Sequence, residues 1–187
     1  MKLKKFNFKT VNSTNDLAIQ IIKNTNNKSG IVIAEKQKKG RGQYGKRWTS
    51  FKGNLFVSIF FKVNIVQLSL KNLTKVNCFL VKKVLSNFYK DKIIIKKPND
   101  LLIKNMKISG ILQEILFKSG DTFIIVGIGI NLIKSPNIKN YLTTNLFDLT
   151  GVKISPNNVT LKLIKIYETF IPKFPKLNIK NLDRNLK

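Results

Sequence analysis

The residue pattern predicts a domain of mixed α and β character, and three observations carry the prediction. Apolar residues recur at helical spacing in some windows and in alternating or unbroken β-like runs in others, and the two kinds of segment are interleaved along the chain. The 187 residues are 43% apolar, enough for one sizeable core. No fixed-period repeat or Pro-, Gly- or Ser-rich linker divides them, and the prolines are isolated, so one continuous domain is expected.

The elements follow in order. After a first strand, Ser13 can cap a helix running to about Asn24, with Asp16 in its first turn and Leu17, Ala18, Ile21 and Ile22 on one face. Ile31 to Ala34 reads as a buried strand. Residues 36–50, KQKKGRGQYGKRWTS, have no apolar period and form a Gly-rich loop, after which Leu55 to Phe61 resumes a strong β pattern. From about Ser69 to Tyr89, the residues Leu73, Val76, Phe79, Leu80, Val84 and Phe88 keep helical spacing. Three β-like runs come next, at 93–95, 107–117 and 122–130, the last two joined by Ser119, Gly120 and Asp121. Ser155 and Pro156 make an N-cap and N1 pair for a final amphipathic helix to about Ile171.

Composition excludes several chemistries. There is no His, which removes Ser-His-Asp and Cys-His catalysis and His-ligated zinc, and the single cysteine, Cys78, can form neither an internal disulfide nor a metal cluster. A reducing, cytoplasmic setting is expected. The N-terminal residues alternate apolar and polar, without the apolar stretch of a signal peptide, and no run reaches the roughly 18 apolar residues of a membrane span. Lys plus Arg number 35 against 9 Asp plus Glu, a net charge of +26, which invites a nucleic-acid reading. Arg occurs only at 41, 47 and 184, however, and the scattered Lys travel with abundant Asn and Ile, all with A/T-rich codons. Codon bias outweighs nucleic-acid binding on this pattern.

Three segments carry candidate chemistry. Gly40-Arg41-Gly42-Gln43-Tyr44-Gly45 matches the G-x-G-x-x-G fingerprint formally. Its context is wrong for a dinucleotide fold, because a strand and not a helix follows and no acidic residue lies between Glu35 and Asp91. The loop can still present backbone N–H groups, Arg41, Lys46 and Arg47 to a phosphate-rich ligand, or be a flexible solvated loop. Lys97-Pro98-Asn99-Asp100 and Lys107 to Glu114 put a carboxylate and a lysine on adjoining β segments across a short turn at Asn105. Asp100 is a candidate Mg²⁺ ligand and Lys107 a candidate for neutralising an oxyanion or phosphate; on this segment alone an ordinary hairpin with a surface salt bridge is the favoured reading. Gly127 to Asn131 reads either as a strand with small residues for close packing or as a place where a ligand nears the backbone.

Taken together and in this order, the segments resemble the biotin-protein ligases, enzymes that attach biotin to a carboxylase carrier protein. The match rests on Ser13-Thr14-Asn15; on Gln37 with Gly40-Arg41-Gly42 through Trp48; on Pro98-Asn99-Asp100 with Lys107, Gly110 to Leu112 and Glu114; and on Gly127 to Asn131. The resemblance implies an α+β catalytic domain over residues 1–172, a mixed β-sheet with flanking helices related to class II aminoacyl-tRNA synthetases, and a short tail over 173–187. It implies ATP and Mg²⁺ as cofactors, biotin as substrate and the biotin carboxyl carrier protein of acetyl-CoA carboxylase as acceptor, acted on by a monomer or by a homodimer formed through a sheet edge.

For individual residues, the resemblance assigns Ser13, Thr14, Asn15, Gln37, Gly40, Arg41, Gly42, Gln43, Lys107, Gly110 and Leu112 to biotin. It assigns Lys46, Arg47, Trp48, Asn99, Asp100 and Asn131 to ATP, with Asp100 also the Mg²⁺ candidate and Lys107 and Arg41 the catalytic pair. The chain departs from the family pattern at Gln43, where an arginine that retains the adenylate is common, which implies faster release of that intermediate. Lys97 replaces the tryptophan usual before Pro-Asn-Asp. An N-terminal helix-turn-helix segment is expected to be absent, so repression of biotin genes is not expected, and the family's C-terminal SH3-like barrel is expected to be missing or vestigial. A lipoate-protein ligase is the nearest enzymatic alternative, although its Arg-Arg and Gly-Gly-Gly pattern is not visible; a basic nucleic-acid-binding module with a decayed ligase site is the alternative from another class.

Overall fold

The computed structural model of the chain describes residues 1–63 and 70–176. Among them lie the strands β1 (Lys4–Val11), β2 (Ser29–Gln37), β3 (Leu55–Val63), β4 (Ile93–Lys96), β5 (Asp100–Ile103), β6 (Met106–Lys118) and β7 (Asp121–Ile130). The helices are α1 (Thr14–Asn24), α2 (Leu70–Leu85), α3 (Leu146–Thr150) and α4 (Pro156–Phe170). The strands form one sheet in the order β1-β2-β3-β7-β6-β5-β4. Only β1 and β2 run parallel; every other neighbouring pair is antiparallel. This is the mixed sheet with flanking helices expected from the sequence.

Alternation along β3 divides the two faces. Leu55, Val57, Ile59, Phe61 and Val63 belong to a core that includes Leu73, Val81 and Leu85 of α2 and Val159, Leu163 and Tyr167 of α4. Phe60 points the other way, to a smaller cluster with Ala18 and Ile22 of α1, Val32 of β2, and Phe123 and Ile125 of β7. A strand buried on both faces reads as the continuous apolar run seen in the sequence. The helix starts are set by the expected caps: Ser13 Oγ accepts from Asp16 N, and Ser155 Oγ accepts from Asn158 N with Pro156 at the first helical position. Helix α2 ends at Leu85, earlier than its apolar period suggests. Ser86 N still donates to Lys82 O, but Asn87 Nδ2 takes Lys83 O while Asn87 N and Phe88 N turn to Val84 O and Leu85 O, three residues back, so the α-helical ladder stops there. The expected start of that helix at Ser69 lies outside the described residues.

Two tight hairpins build the β4 to β7 half. Lys104 and Asn105 connect β5 to β6, and Ser119 and Gly120 connect β6 to β7; all four have positive φ, as two-residue turns between twisted strands require. Asp121, read as part of the second turn, is instead the first residue of β7, paired with Lys118. The five-residue α3 escaped the sequence reading because it is too short to show a period. After α4 a 3₁₀ segment continues over Ile171–Lys176, with Phe174 buried and its ring edge-on to Phe61 and Phe170 at 5.6 and 5.9 Å. Packing therefore continues past residue 172, where the tail was expected to begin; residues 177–187 are outside the described set.

Buried Asn54 fixes the chain as it leaves β7. Its Oδ1 accepts from the backbone N of Leu132, Ile133 and Lys134 at 3.0, 3.0 and 3.2 Å, and its Nδ2 donates to Lys134 O at 2.7 Å. Asn54→Ala leaves several of these groups unpaired and is expected to destabilise the fold by about 2–4 kcal/mol, read as a lower urea midpoint with an unchanged m-value. Burial, reinforced by the Asp100 charge, pushes the Cys78 thiol up to about 12. Cys78 is therefore expected to resist iodoacetamide at pH 8 in the folded protein and to react fully in urea.

Candidate active site

Helix α1 covers only part of its sheet face. Beyond Asn15 the next strands carry glycines in register: Leu112 of β6 pairs with Gly127 of β7 and Gly127 with Ser58 of β3, while Gly110 pairs with Gly129 and Gly129 with Phe56. Missing side chains at three of these positions leave a floor on which other groups lie. Asn15 sits directly over Gly127, and Trp48 lies across both Gly129 and Gly110. A Cβ added at Gly110 would be 2.7 Å from Trp48 Cζ3 and 3.3 Å from Lys107 Cε. Of the two readings of Gly127 to Asn131, close packing is seen directly, with Asn15 over Gly127 and Trp48 over Gly129, and both glycines also border a cleft. Above this floor opens a cleft of about 570 Å³.

At the α1 end, Thr14 N and Oγ1 both donate to Gln37 Oε1, at 2.8 and 3.1 Å. Ser58 Oγ bonds to Thr14 Oγ1 and to Asn15 Oδ1, while Asn15 Nδ2 donates to Glu114 Oε2 at 2.7 Å and Leu112 O at 3.3 Å. Ser58, fully buried inside an apolar strand, was invisible to sequence reading because its role depends on the β3 face it occupies.

The Gly-rich loop folds back over the cleft. Trp48 N donates to Gly40 O at 2.9 Å and Gly42 N to Lys46 O at 2.6 Å, with Tyr44 in the left-handed region at the tip. A Cβ at Gly40 would be 2.6 Å from Trp48 O, so Gly40 serves the loop's closure and does not line the cleft. Arg41 pins the loop to the body: its Nη2 is 2.8 Å from Asp16 Oδ1 and 2.7 Å from Glu114 Oε2. The loop, for which a flexible solvated state is one of two sequence readings, is tied down by these contacts, and β2 runs into it as far as Gln37. Gln43 Oε1 and Trp48 Nε1 are buried without a hydrogen-bond partner among the described residues.

Lys107 reaches the cleft through an irregularity in β6. Opposite β5, Leu101 pairs with Ser109 but Leu102 pairs with Lys107, so Ile108 is an extra residue. A regular strand would turn Lys107 to the face opposite Gly110; the bulge sends Ile108 into the α2 and α4 core and brings Lys107 round to the cleft. Asp100, paired with Gly110, shares that face, and its Oδ1 is 2.7 Å from Lys107 Nζ. The two side chains are 15% and 21% exposed, so this is a largely buried pair and not the surface bridge that sequence alone allowed. Asp100 Oδ2 accepts from Tyr141 Oη at 2.6 Å. Burial, then the Asp100 hydrogen bond and charge, raise the Tyr141 phenol well above its usual range and keep it a donor.

The expected ATP residues divide by role. Lys46, Arg47 and Trp48 line the cleft, as do Asn99, Asp100 and Asn131. Asn99 Nδ2 donates to Ile111 O and Asn131 Nδ2 to Thr144 O, so both also tie neighbouring segments together. Ser13, Thr14, Asn15, Gln37, Arg41, Gly42, Gln43, Lys107, Gly110 and Leu112 line it too. Sequence reading missed the segment around Tyr141, which has no motif. Arg41, Lys46, Arg47, Lys96, Lys97, Lys107 and Lys139 give the lining seven cations, while Asp100 is its one carboxylate among the described residues. No group of three or more metal-ligating side chains exists among them. Asp100 Oδ2 accepts from Tyr141, and Oδ1, which has no geometric hydrogen bond among the described residues, lies 2.7 Å from the Lys107 ammonium, so the residues present do not make a Mg²⁺ site.

The fold is that of biotin protein ligase catalytic domains. The Aquifex aeolicus biotin protein ligase solved with biotin and ATP superposes with a TM-score of 0.80 at 27% identity, over 98% of this chain and 77% of that one. The model of the Biotin/lipoate A/B protein ligase family matches residues 7–131, and the chain belongs to that family. Relatives include the bifunctional ligase/repressor BirA of Escherichia coli, 33% identical over 143 residues, covering 74% of this chain and 44% of the relative. The biotin-[acetyl-CoA-carboxylase] ligase of Mycobacterium tuberculosis is 25% identical, covering 79% of this chain and 56% of its own length. The chain thus spans about half the length of these relatives.

Gly129→Ala is expected to expel the single tryptophan, Trp48, from the cleft floor. A red-shifted emission with an unchanged far-UV spectrum is the expected result; unchanged emission would contradict the packing described.

Proposed function

We propose that the protein is an ATP-dependent biotin-protein ligase. The observation that carries this reading is the meeting, in one cleft, of a small polar pocket around Thr14, Gln37 and the Gly127 backbone with a run of cations, and the position of Lys107 between them. A ring with a few polar atoms fits a slot of this kind, and a triphosphate fits the cationic part. The relatives named as biotin ligases, and the complex with biotin and ATP, support biotin over lipoate.

In the first half-reaction, a biotin carboxylate oxygen attacks the α-phosphorus of ATP. The new bond is O–P; the bond to the β-bridging oxygen breaks and pyrophosphate leaves. Lys107 can neutralise charge shared between the carboxylate and the α-phosphate, and Lys46, Arg47, Lys96, Lys97 and Lys139 can hold the departing phosphates. The second half-reaction transfers the acyl group to a lysine amine of a carrier protein: a C–N bond forms, the C–O bond to AMP breaks and the amine loses a proton. Neither step needs a histidine, because positioning and charge stabilisation supply most of the rate. Ser13, with its hydroxyl proton still free to donate, and Gln37 would orient the biotin ring. Mg²⁺, where the reaction uses it, would come with the nucleotide and supply further phosphate neutralisation. The acceptor we propose is a biotin carboxyl carrier protein of acetyl-CoA carboxylase, supported by the name of the mycobacterial relative.

The test is pyrophosphate–ATP isotope exchange by the purified chain with biotin, lipoate or no acid. Biotin-dependent exchange is expected. Lys107→Ala should reduce it by about 10²- to 10³-fold, the usual effect of removing one group that stabilises transition-state charge, with an unchanged far-UV spectrum at the assay temperature and a lower thermal midpoint because Asp100 loses its partner. Exchange with lipoate alone, or full turnover in the folded Lys107→Ala protein, would contradict the reading.

A further inference from the structure

Lys107 is held by more than its own strand. Its backbone N donates to Leu142 O at 2.9 Å and its O accepts from Thr144 N at 2.9 Å, so a segment distant in sequence runs beside it. The same segment reaches its side chain indirectly. Tyr141 Oη donates to Asp100 Oδ2 at 2.6 Å, and Asp100 Oδ1 meets Lys107 Nζ at 2.7 Å. The Tyr141 ring lies between two ammonium groups, 4.7 Å from Lys96 Nζ and 5.6 Å from Lys107 Nζ. Trp48 borders Lys107 on another side, its ring centroid 5.4 Å from Nζ.

We propose that Tyr141 is a positioning residue for Lys107, acting through Asp100: its hydroxyl fixes one carboxylate oxygen so that the other holds the ammonium over Gly110. Three considerations carry the proposal. A carboxylate rotates about its terminal bond unless both oxygens are engaged, and Tyr141 engages the oxygen Lys107 does not use. Lysine is a flexible four-carbon stem with a point charge, so its location in a cleft with six other cations must be imposed from outside. The phenol stays protonated because burial and the adjacent carboxylate both disfavour its ionisation, so it is a donor across the physiological range. The segment after β7, held at its start by Asn54, is thereby tied to Lys107 through both its backbone and its side chain. The inference rests on the proposed ligase reading for its kinetic part only.

The variant that isolates the hydroxyl is Tyr141→Phe, which keeps the ring and its contacts with both lysines. Two readouts are combined on wild type, Tyr141→Phe, Asp100→Asn and the double variant. In the ¹H–¹⁵N spectrum of lysine ammonium groups, the Lys107 signal, assigned by its absence from Lys107→Arg, should lose order in Tyr141→Phe and in Asp100→Asn. In biotin-dependent exchange, kcat should fall about 10-fold in Tyr141→Phe, as expected for a small misplacement of a reacting group, while KM for biotin moves less than about twofold. Adding Tyr141→Phe to Asp100→Asn should cost nothing further, since the two act as one unit. An unchanged Lys107 signal in Tyr141→Phe, or full additivity of the two substitutions, would overturn the inference. Absence of biotin-dependent exchange in the wild type would count against the ligase reading instead, and the ammonium signal would then decide the inference alone.

Discussion

One extra residue in β6 is the constraint on which the site depends. Ile108 has no partner of its own on β5 and turns into the core, and that single step rotates Lys107 onto the face it shares with Asp100 and Gly110. The bulge is kept by what surrounds it. Ile108 O accepts from Asn131 N, Ser109 Oγ donates to Gly129 O, and Lys107 is bonded through its backbone to Leu142 and Thr144. Sliding the strand back into regular register would bury the ammonium against α2 and α4 and expose Ile108, each unfavourable by itself. Apolar burial therefore holds a charge in place without touching it.

The rest of the cleft follows from what is left out. Three glycines on neighbouring strands open a floor where α1 ends, and Asn15 and Trp48 settle on it. The Gly-rich loop then closes over, drawn down by Arg41 between Asp16 of α1 and Glu114 of β6. Exposed ion pairs of this kind contribute little to global stability, yet a loop needs only a small bias to favour one position. Glu114 serves both parts, since it also accepts from Asn15. Helix, strand and loop are thus coupled through one carboxylate beside the proposed biotin pocket.

Much of this was legible in the sequence because it is encoded locally. Ser13 and Ser155 announce their helices through their own caps, β3 through its apolar run, and the turn at Asn105 through the residue's tolerance of positive φ. The motif residues from Ser13 to Asn131 could be gathered because each segment carries its own signature. What stayed hidden depends on register. Nothing local marks Ser58 as the partner of Thr14 and Asn15, or Ile108 as a bulge. Tyr141 lies in a segment with neither period nor motif, and its contact with Asp100 spans 41 positions. Nothing local shows that Gly40 packs against Trp48 O, a partner only the folded loop supplies.

Charge invites two explanations at two scales. The scattered lysines that make the net charge +26 need no ligand, but seven cations line a single cleft, and even with Arg41 paired to Asp16 and Glu114 and Lys107 to Asp100 the lining stays net positive, as the proposed polyphosphate requires. The proposed reaction requires Lys107 to stand where a carboxylate and an α-phosphate meet. Crystallising the protein with a non-hydrolysable biotinyl-adenylate analogue tests it most directly. The acyl–phosphate linkage is expected within about 3 Å of Lys107 Nζ, with the ring system against Thr14 and Gln37. An analogue bound with its linkage away from Lys107, or bound outside this cleft, would contradict it.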